Sequence, residues 1–183
     1  MKNGFRESPN TAVHILLDSS GSMTDSGLML ANAVCYAVGK ALQGISGVNL
    51  GITAFPGANR AKRGTTVAPV LRHGEKLTAR FPEIAYGMTP MAESLWWVMQ
   101  QMCLLRENRK IILIITDGEP DSIPAAQEVL RQAQKKGFEC YGLGIMCPSI
   151  STLLPHASRV VETLPQLAPA LFELLEGALR RNA

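Results

Sequence analysis

The sequence lacks long apolar runs and a strong excess of charge of either sign. Its 183 residues include 18 Lys and Arg against 15 Asp and Glu, a net charge of +3 that by itself indicates neither nucleic acid nor an anionic membrane as a partner. Apolar runs such as 111–115 are far shorter than the roughly 20 residues that a membrane span needs. Residues 1–10 lack the apolar segment of a secretory signal. We therefore expect a cytoplasmic protein that makes no membrane contact.

Cysteine and histidine occur without the spacing of a metal site. No C-x-x-C pair is present among the four cysteines, which are Cys35, Cys103, Cys140 and Cys147. The three histidines also lie far apart in sequence, so zinc-type spacing is absent. Each cysteine has apolar neighbours, and we expect four buried, unpaired thiols in a reducing compartment.

Apolar periodicity alternates along the chain between strand-like and helix-like patterns. Short runs rich in β-branched residues predict strands over Ala12–Leu17, Val48–Phe55, Lys110–Thr116 and Phe138–Ile145, with two shorter strands near 65–71 and 159–161. Helical spacing of apolar residues predicts helices over Leu28–Leu42, Met91–Leu105, Ser122–Lys136 and Pro165–Arg180.

This alternation is typical of an α/β fold. It predicts a three-layer, doubly wound, mainly parallel sheet of about six strands with helices on both faces. We expect one domain over residues 12–181, preceded by an N-terminal extension over residues 1–11. Ligands bind at the carboxyl ends of the strands in such sheets, so we look for a site there.

Polar residues follow two of the predicted strands at that edge. Asp18, Ser20 and Ser22 come directly after the first strand. Asp117 follows the central strand, and Thr89 precedes a helix. Carboxylate and hydroxyl oxygens suit a hard divalent cation, so we predict that these five residues bind Mg²⁺, with Mn²⁺ or Ca²⁺ as alternatives. Because only two of the ligands are carboxylates, we expect a coordination position that a water or a partner protein's carboxylate fills.

The combination resembles the von Willebrand factor A (VWA) domain family and its metal-ion-dependent adhesion site (MIDAS). The family pattern is D-x-S-x-S, then a distant Thr, then a distant Asp; here it stands as Asp18-Ser19-Ser20-Gly21-Ser22, Thr89 and Asp117. The resemblance covers nearly the whole chain, from about Ala12 to the final helix. It implies the Rossmann-like VWA fold and a metal-dependent protein-binding module that is not an enzyme.

The segments around the three parts of the motif carry a narrower resemblance. Residues 16–23, 87–93 and 115–121 are similar to the A domain of bacterial cobaltochelatase CobT-type subunits and their phage or plasmid relatives. In that family the domain ends a longer chain and works with a MoxR-type AAA+ ATPase ring during cobalt insertion into a corrin ring. The resemblance implies an adaptor that works with such an ATPase, in metal chelation or protein remodelling. The chain is then either an excised domain or a shorter relative with another task.

Other side chains near the motif have plainer interpretations. Glu119 and Asp121 are interpreted as acidic residues in the first turn of the following helix, where the helix dipole favours them. Thr89 fits both a metal ligand and a cap of the helix that follows it. We expect Trp96 in the core and Trp97 at its rim.

A basic stretch lies between residues 60 and 80, where Glu75 opposes six basic side chains: Arg60, Lys62, Arg63, Arg72, Lys76 and Arg80. We interpret it as a solvated loop and an edge strand whose charge opposes aggregation. The alternative is a docking patch for an acidic partner. Nucleic acid is disfavoured as that partner because no aromatic residues are interleaved with the basic ones.

Enzyme motifs are scarce. No G-x-G-x-x-G follows the first strand, and no phosphate-binding G-x-x-x-x-G-K-[ST] loop occurs. No Ser-His-Asp arrangement is apparent near the strand ends. The alternative function is Mg²⁺-dependent phosphoryl transfer with Asp18 as the nucleophile, although Ser20 stands where such enzymes usually have a second carboxylate.

Overall fold

The computed structural model describes residues 10–57, 67–78 and 80–180. Its strands are β1 (Thr11–Asp18), β2 (Val48–Phe55), β3 (Ala68–Leu71), β4 (Arg109–Thr116), β5 (Phe138–Ile145) and β6 (Ser158–Val161). Its α-helices are α1 (Thr24–Gln43), α2 (Met91–Cys103), α3 (Ile123–Lys135), α4 (Ser149–Leu153) and α5 (Leu167–Arg180). Short 3-10 helices at Gly21–Met23 and Leu164–Gln166 precede α1 and α5.

The strands form one sheet in the order β3-β2-β1-β4-β5-β6. All neighbours pair in parallel except β3, which runs antiparallel to β2 at the edge. From β1 the chain proceeds outward to β2 and β3, and from β4 it proceeds outward on the other side. The order therefore reverses between β1 and β4, and a crevice for ligands is expected at their carboxyl ends.

The two central strands are buried on both faces. Val13, Ile15 and Leu17 of β1 belong to the cluster that includes α1 and α5. Ala12 and Leu16 point to the opposite face and join the cluster that includes α2 and α3. The five consecutive aliphatic residues of β4 divide in the same way and are all fully buried. The predicted three-layer, doubly wound fold with helices on both faces is thus confirmed.

Some element boundaries differ from those predicted. Helix α1 begins at Thr24 instead of Leu28, because its first turn is exposed and polar and so gives no apolar signal. Helix α4 was not expected, since five residues are too few to set a helical period. The predicted N-terminal extension lies mostly outside the described residues, and its last residue, Thr11, begins β1.

The expectation for Trp96 was wrong, whereas Trp97 lies at the rim of the core as expected. Trp96 is 46% exposed, whereas Trp97 is partly buried and packs against the core. The spacing of apolar residues along one helix identifies the centre of its buried face. It does not show which residues at the edges of that face are covered by neighbouring elements. Burial of all four cysteines was also wrong, because Cys103 is exposed. Its apolar sequence neighbours point about 100° away from it around α2 and give no guide to its own burial.

The basic stretch is only partly described. Arg60, Lys62 and Arg63 lie outside the described residues, whereas Arg72, Lys76 and Arg80 are exposed. The docking interpretation of this stretch stays a prediction. No helix in the described part of the chain has the length and apolar character needed to cross a membrane.

The contact of β5 with α4 generates a prediction about stability. A methyl group on Gly144 would overlap the carbonyl oxygen of Cys147 and lie 2.7 Å from Cγ2 of Ile150, so Gly144→Ala forces a backbone shift. We expect it to lower the free energy of unfolding by about 1–3 kcal/mol in urea titrations. Gly177→Ala in α5 is the matched control, because nothing lies within 4 Å and alanine favours a helix. Equal stability of the two variants would contradict the packing.

Candidate metal centre

The five predicted ligands come together at the carboxyl ends of β1 and β4. Asp18 is the last residue of β1, and Asp117 directly follows the last residue of β4. Thr89 precedes α2 on a separate loop. These are the ends of the two strands at which the strand order reverses, so the sheet itself brings together residues that are far apart in sequence.

A chain of hydrogen bonds links four of the five residues. The backbone N–H of Ser20 donates to Oδ1 of Asp18 at 2.8 Å. The hydroxyls of Ser20 and Ser22 lie 3.0 Å apart, and that of Ser22 donates to Oδ1 of Asp117 at 2.6 Å. Carboxylate and hydroxyl oxygens from two loops therefore form one continuous cluster.

The space beside Gly118 shows where the oxygens converge. A methyl group in place of a hydrogen on Gly118 would lie 3.1 Å from Oγ of Ser22, 3.3 Å from Oγ1 of Thr89 and 3.9 Å from Oδ2 of Asp18. Three side-chain oxygens, two from the end of β1 and the segment after it and one from the loop before α2, thus surround one small volume beside the loop after β4. Glycine keeps this volume free of side-chain atoms.

Thr116 is a functional residue that the sequence analysis missed. It is buried at the end of β4, and its hydroxyl donates to Oδ2 of Asp18 at 2.5 Å. Oγ1 of Thr116 also accepts the N–H of Gly118 at 3.2 Å. Thr116 therefore fixes the orientation of the Asp18 carboxylate. The available signal was a hydroxyl residue that ends an otherwise aliphatic strand.

Asp121 was misinterpreted. Helix α3 begins at Ile123 with Ser122 as its cap, so Asp121 lies before the first turn. Oδ1 of Asp121 accepts the N–H of Thr89 at 2.8 Å, and the N–H of Asp121 donates to the carbonyl of Thr89 at 3.0 Å. Asp121 thus holds the Thr89 loop in place. No local pattern pairs residues so far apart in sequence.

The other interpretations at this edge are settled by geometry. Pro90 is the cap residue of α2, and no side chain caps that helix, so Thr89 does not perform the capping role. Glu119 is exposed and likewise precedes the first turn of α3. Its interpretation as a first-turn residue was therefore wrong too.

The carboxylate of Asp18 is buried, that of Asp117 is partly buried, and neither has a basic partner among the described residues. Burial is the main reason why the pKa of Asp18 is raised to about 6, although hydrogen bonds from Ser20 and Thr116 oppose this shift and the charge of Asp117 adds to it. The pKa of Asp117 is also raised by burial. Among the described residues, no Lys or Arg forms an ion pair with either carboxylate.

These properties fit a divalent cation with oxygen ligands. Two carboxylates that lack a basic partner attract a cation, and the hydroxyls add neutral oxygen donors. No group of three or more His, Cys, Asp or Glu side chains that could bind a metal occurs in the part of the chain that the structure describes. A donor set of carboxylate and hydroxyl oxygens is of the type that Mg²⁺ or Mn²⁺ prefers.

Comparison with known proteins identifies related domains and bears on the fold. The model of the von Willebrand factor type A domain matches residues 12–170. Proximal thread matrix protein 1 from the mussel byssus, solved with a zinc-occupied MIDAS motif, has a TM-score of 0.75 and 11% identity, covering 94% of this chain and 46% of that one. Manganese-loaded TRAP from Plasmodium vivax has a TM-score of 0.65 and 16% identity, covering 92% and 74% of the two chains.

A third similar structure is the SpRpn10 VWA domain, with a TM-score of 0.70 and 10% identity, covering 89% of this chain and 94% of that domain. At such identities the likeness shows the fold alone. This chain spans about half the length of the mussel proteins that it matches. A search of curated proteins gives no significant match.

Asp18→Asn tests the electrostatics of the cluster. In EDTA at pH 7.5 we expect the variant to be more stable than the wild type by about 3 kcal/mol, because the buried charge is removed. The pKa of Asp18 in the folded protein lies above the ordinary value of 3.8, at about 6. The wild type therefore loses stability as the pH rises between these two values, and the difference should fall below about 1 kcal/mol at pH 4.

Urea unfolding at both pH values measures this difference. Titration calorimetry of the same variant should show that Mg²⁺ binding is lost. Unchanged Mg²⁺ affinity would remove Asp18 from the ligand set.

Gly118→Ala tests the volume between the loops. The φ of Gly118 is outside the left-handed region, so alanine is compatible with the backbone, but its methyl group would enter the space between Ser22 and Thr89. We expect Mg²⁺ affinity to fall by roughly tenfold or more in calorimetry. Gly177→Ala is the control and should leave the affinity unchanged. Wild-type affinity of the Gly118→Ala protein would place the ion elsewhere.

Proposed function

The chain belongs to the von Willebrand factor type A domain family, and on that premise we propose that it is a protein-interaction module whose binding depends on a divalent metal. The residues that would hold the ion are Asp18, Ser20, Ser22, Thr89 and Asp117. The observation that carries this proposal is the convergence of oxygens of Asp18, Ser22 and Thr89 beside Gly118. Ser20 and Asp117 join this group through hydrogen bonds with Ser22. Neither carboxylate has a basic partner among the described residues.

Each residue of the cluster has a distinct task. Asp18 and Asp117 supply the charge that retains the cation, and the hydroxyls of Ser20, Ser22 and Thr89 supply neutral donors. A bound divalent cation would offer an electrophilic position to a carboxylate from a partner protein. Around the cluster, Thr116 orients Asp18 and Asp121 holds the Thr89 loop.

We propose Mg²⁺ as the ion. Its support is the all-oxygen donor set and the compact spacing of the hydroxyls, which suit a small, hard cation. Mn²⁺ and Ca²⁺ are the alternatives.

A finer proposal concerns the cellular role. We propose that the module is an adaptor for a MoxR-type AAA+ ATPase in a metal-chelatase or protein-remodelling assembly. Its support is the similarity of residues 16–23, 87–93 and 115–121 to CobT-type domains. We propose that this role is cytoplasmic, and the free thiols of all four cysteines support that location.

The enzyme alternative is disfavoured by the position of Asp18. A nucleophile must reach the phosphorus atom, but Asp18 is fully buried and both of its oxygens accept hydrogen bonds, from Ser20 and Thr116. An assay of p-nitrophenyl phosphate hydrolysis in Mg²⁺ tests this alternative. Turnover that Asp18→Asn abolishes would favour the phosphoryl-transfer function.

Thr89→Ala tests the metal-bridged contact. Because Thr89 is a neutral donor, we expect its loss to weaken the partner complex more than it weakens Mg²⁺ binding in calorimetry. The assay is a pull-down from native lysate with and without EDTA, in which EDTA should release the partner from the wild type. The control is Thr78→Ala, an exposed threonine beside Leu77, which packs near the far end of α1. A partner retained equally under all conditions would show that the metal cluster is not the docking surface.

A further inference from the structure

Three large apolar side chains are exposed around the metal cluster. Tyr86 is 66% exposed, and Met88 and Met146 are each 72% exposed. Single exposed apolar residues are common on protein surfaces, but three beside one polar site indicate an interaction surface. Methionine is suited to this role because its flexible thioether adapts to different partners.

Tyr86 and Met88 lie on the β2 side of the cluster. Their loop is fixed by the carbonyl of Gly87, which accepts the N–H of Gly21 at 3.1 Å. A methyl group on Gly87 would lie 3.3 Å from Cγ of Pro56, the residue that follows β2. Met88 directly precedes the predicted ligand Thr89. We refer to these two exposed side chains, which belong to the loop on this side of the cluster, as one wall of the site.

Met146 lies on the opposite side, directly after β5. Its φ of 50° is in the left-handed region, which is rare for a residue with a side chain, and such strained residues cluster at binding sites. The N–H of Met146 donates to the carbonyl of Val161 at 2.7 Å, which holds this conformation. The thiol of the next residue, Cys147, donates to the carbonyl of Gly118 at 3.3 Å, so this loop contacts the metal cluster.

The spacing of the strands beside the two walls is close to the span of an extended peptide. Neighbouring strands lie about 4.8 Å apart, so β2 and β5 are separated by roughly 14 Å, with the ends of β1 and β4 between them. In an extended segment, residues two positions before and two after a central residue point to the same face as it does. They are about 13 Å apart, at roughly 3.3 Å per residue. A central carboxylate at the cluster would thus place both flanking side chains on the apolar walls.

The charge of the loops restricts the partner further. Residues 19–22, 83–90, 117–122 and 146–148 contain no Lys or Arg. Glu83, Glu119 and Asp121 are exposed on them. A partner segment with several acidic residues would be repelled, whereas one with a single carboxylate among neutral residues would not.

We propose that this site recognises an extended segment of a partner protein in which one carboxylate is flanked by large apolar side chains two residues before and two residues after it. The proposal rests on the proposed function, because the central carboxylate is the group that meets the metal. The proposal adds that Tyr86, Met88 and Met146 determine which partner segments this chain selects.

Synthetic seven-residue peptides with a fluorescent label test the proposal. The parent peptide has aspartate at its centre, leucine two positions away on each side, and serine elsewhere. Three companions have serine in place of both leucines, the leucines moved next to the aspartate, or asparagine in place of the aspartate. In Mg²⁺ we expect the parent to bind at least about tenfold more tightly than each companion in anisotropy titrations, with the preference lost in EDTA.

Variants of the protein identify the walls. Met88→Gln and Met146→Gln should each remove most of the preference for leucine while leaving Mg²⁺ affinity and the unfolding midpoint unchanged, because both side chains are exposed. Leu104→Gln is the matched control. Leu104 is 81% exposed and follows α2, about 20 Å along that helix from the cluster.

The outcomes separate this proposal from the proposed function. Equal Mg²⁺-dependent binding of all three aspartate peptides would overturn the apolar walls and leave the metal-dependent module intact. If no aspartate peptide gains affinity in Mg²⁺ over EDTA, the proposed function fails with it. A leucine preference that persists in both methionine variants would overturn the assignment to Met88 and Met146.

Discussion

The burial of the Asp18 carboxylate at the end of β1 is the constraint on which this edge of the molecule depends. Asp18 is fully buried, its pKa is raised to about 6, and its partners are hydroxyl and N–H groups. A carboxylate in this position lowers stability unless a cation compensates it. A bound divalent ion would therefore compensate the negative charge whose burial lowers the stability of the folded protein.

Hydrogen bonds between different loops, and not the conformation of any single loop, hold the residues of the site in position. The D-x-S-x-S segment bonds to the loop that precedes α2, and that loop bonds to Asp121 after β4. Because these loops extend from the two central strands and from the start of a packed helix, their positions are set by the core. Such a framework holds ligands in place before an ion arrives, which lowers the entropic cost of binding it.

The proposed recognition combines a metal site of the family's type with a surface that is particular to this chain. The oxygen cluster is shared in type with the VWA family, whereas the exposed Tyr86, Met88 and Met146 belong to loops of this sequence. A metal-bridged carboxylate alone discriminates poorly among proteins, since acidic residues cover most surfaces. In the proposed recognition, apolar side chains beside the ion would add the selectivity that the charge alone does not provide.

The sequence by itself determined the alternation of strands and helices and the parallel core, and it predicted the five polar residues that meet at one edge of the sheet. Each of these features depends on local periodicity or on short motifs. The sequence did not determine the pairing of Asp121 with Thr89, the hydroxyl of Thr116 on Asp18, or which tryptophan of α2 is exposed. Those features depend on which elements pack together, and contacts between residues 32 or 98 positions apart leave no local pattern. Only the tertiary structure decided them, because burial and hydrogen-bond partners are set by the neighbours that folding brings into contact.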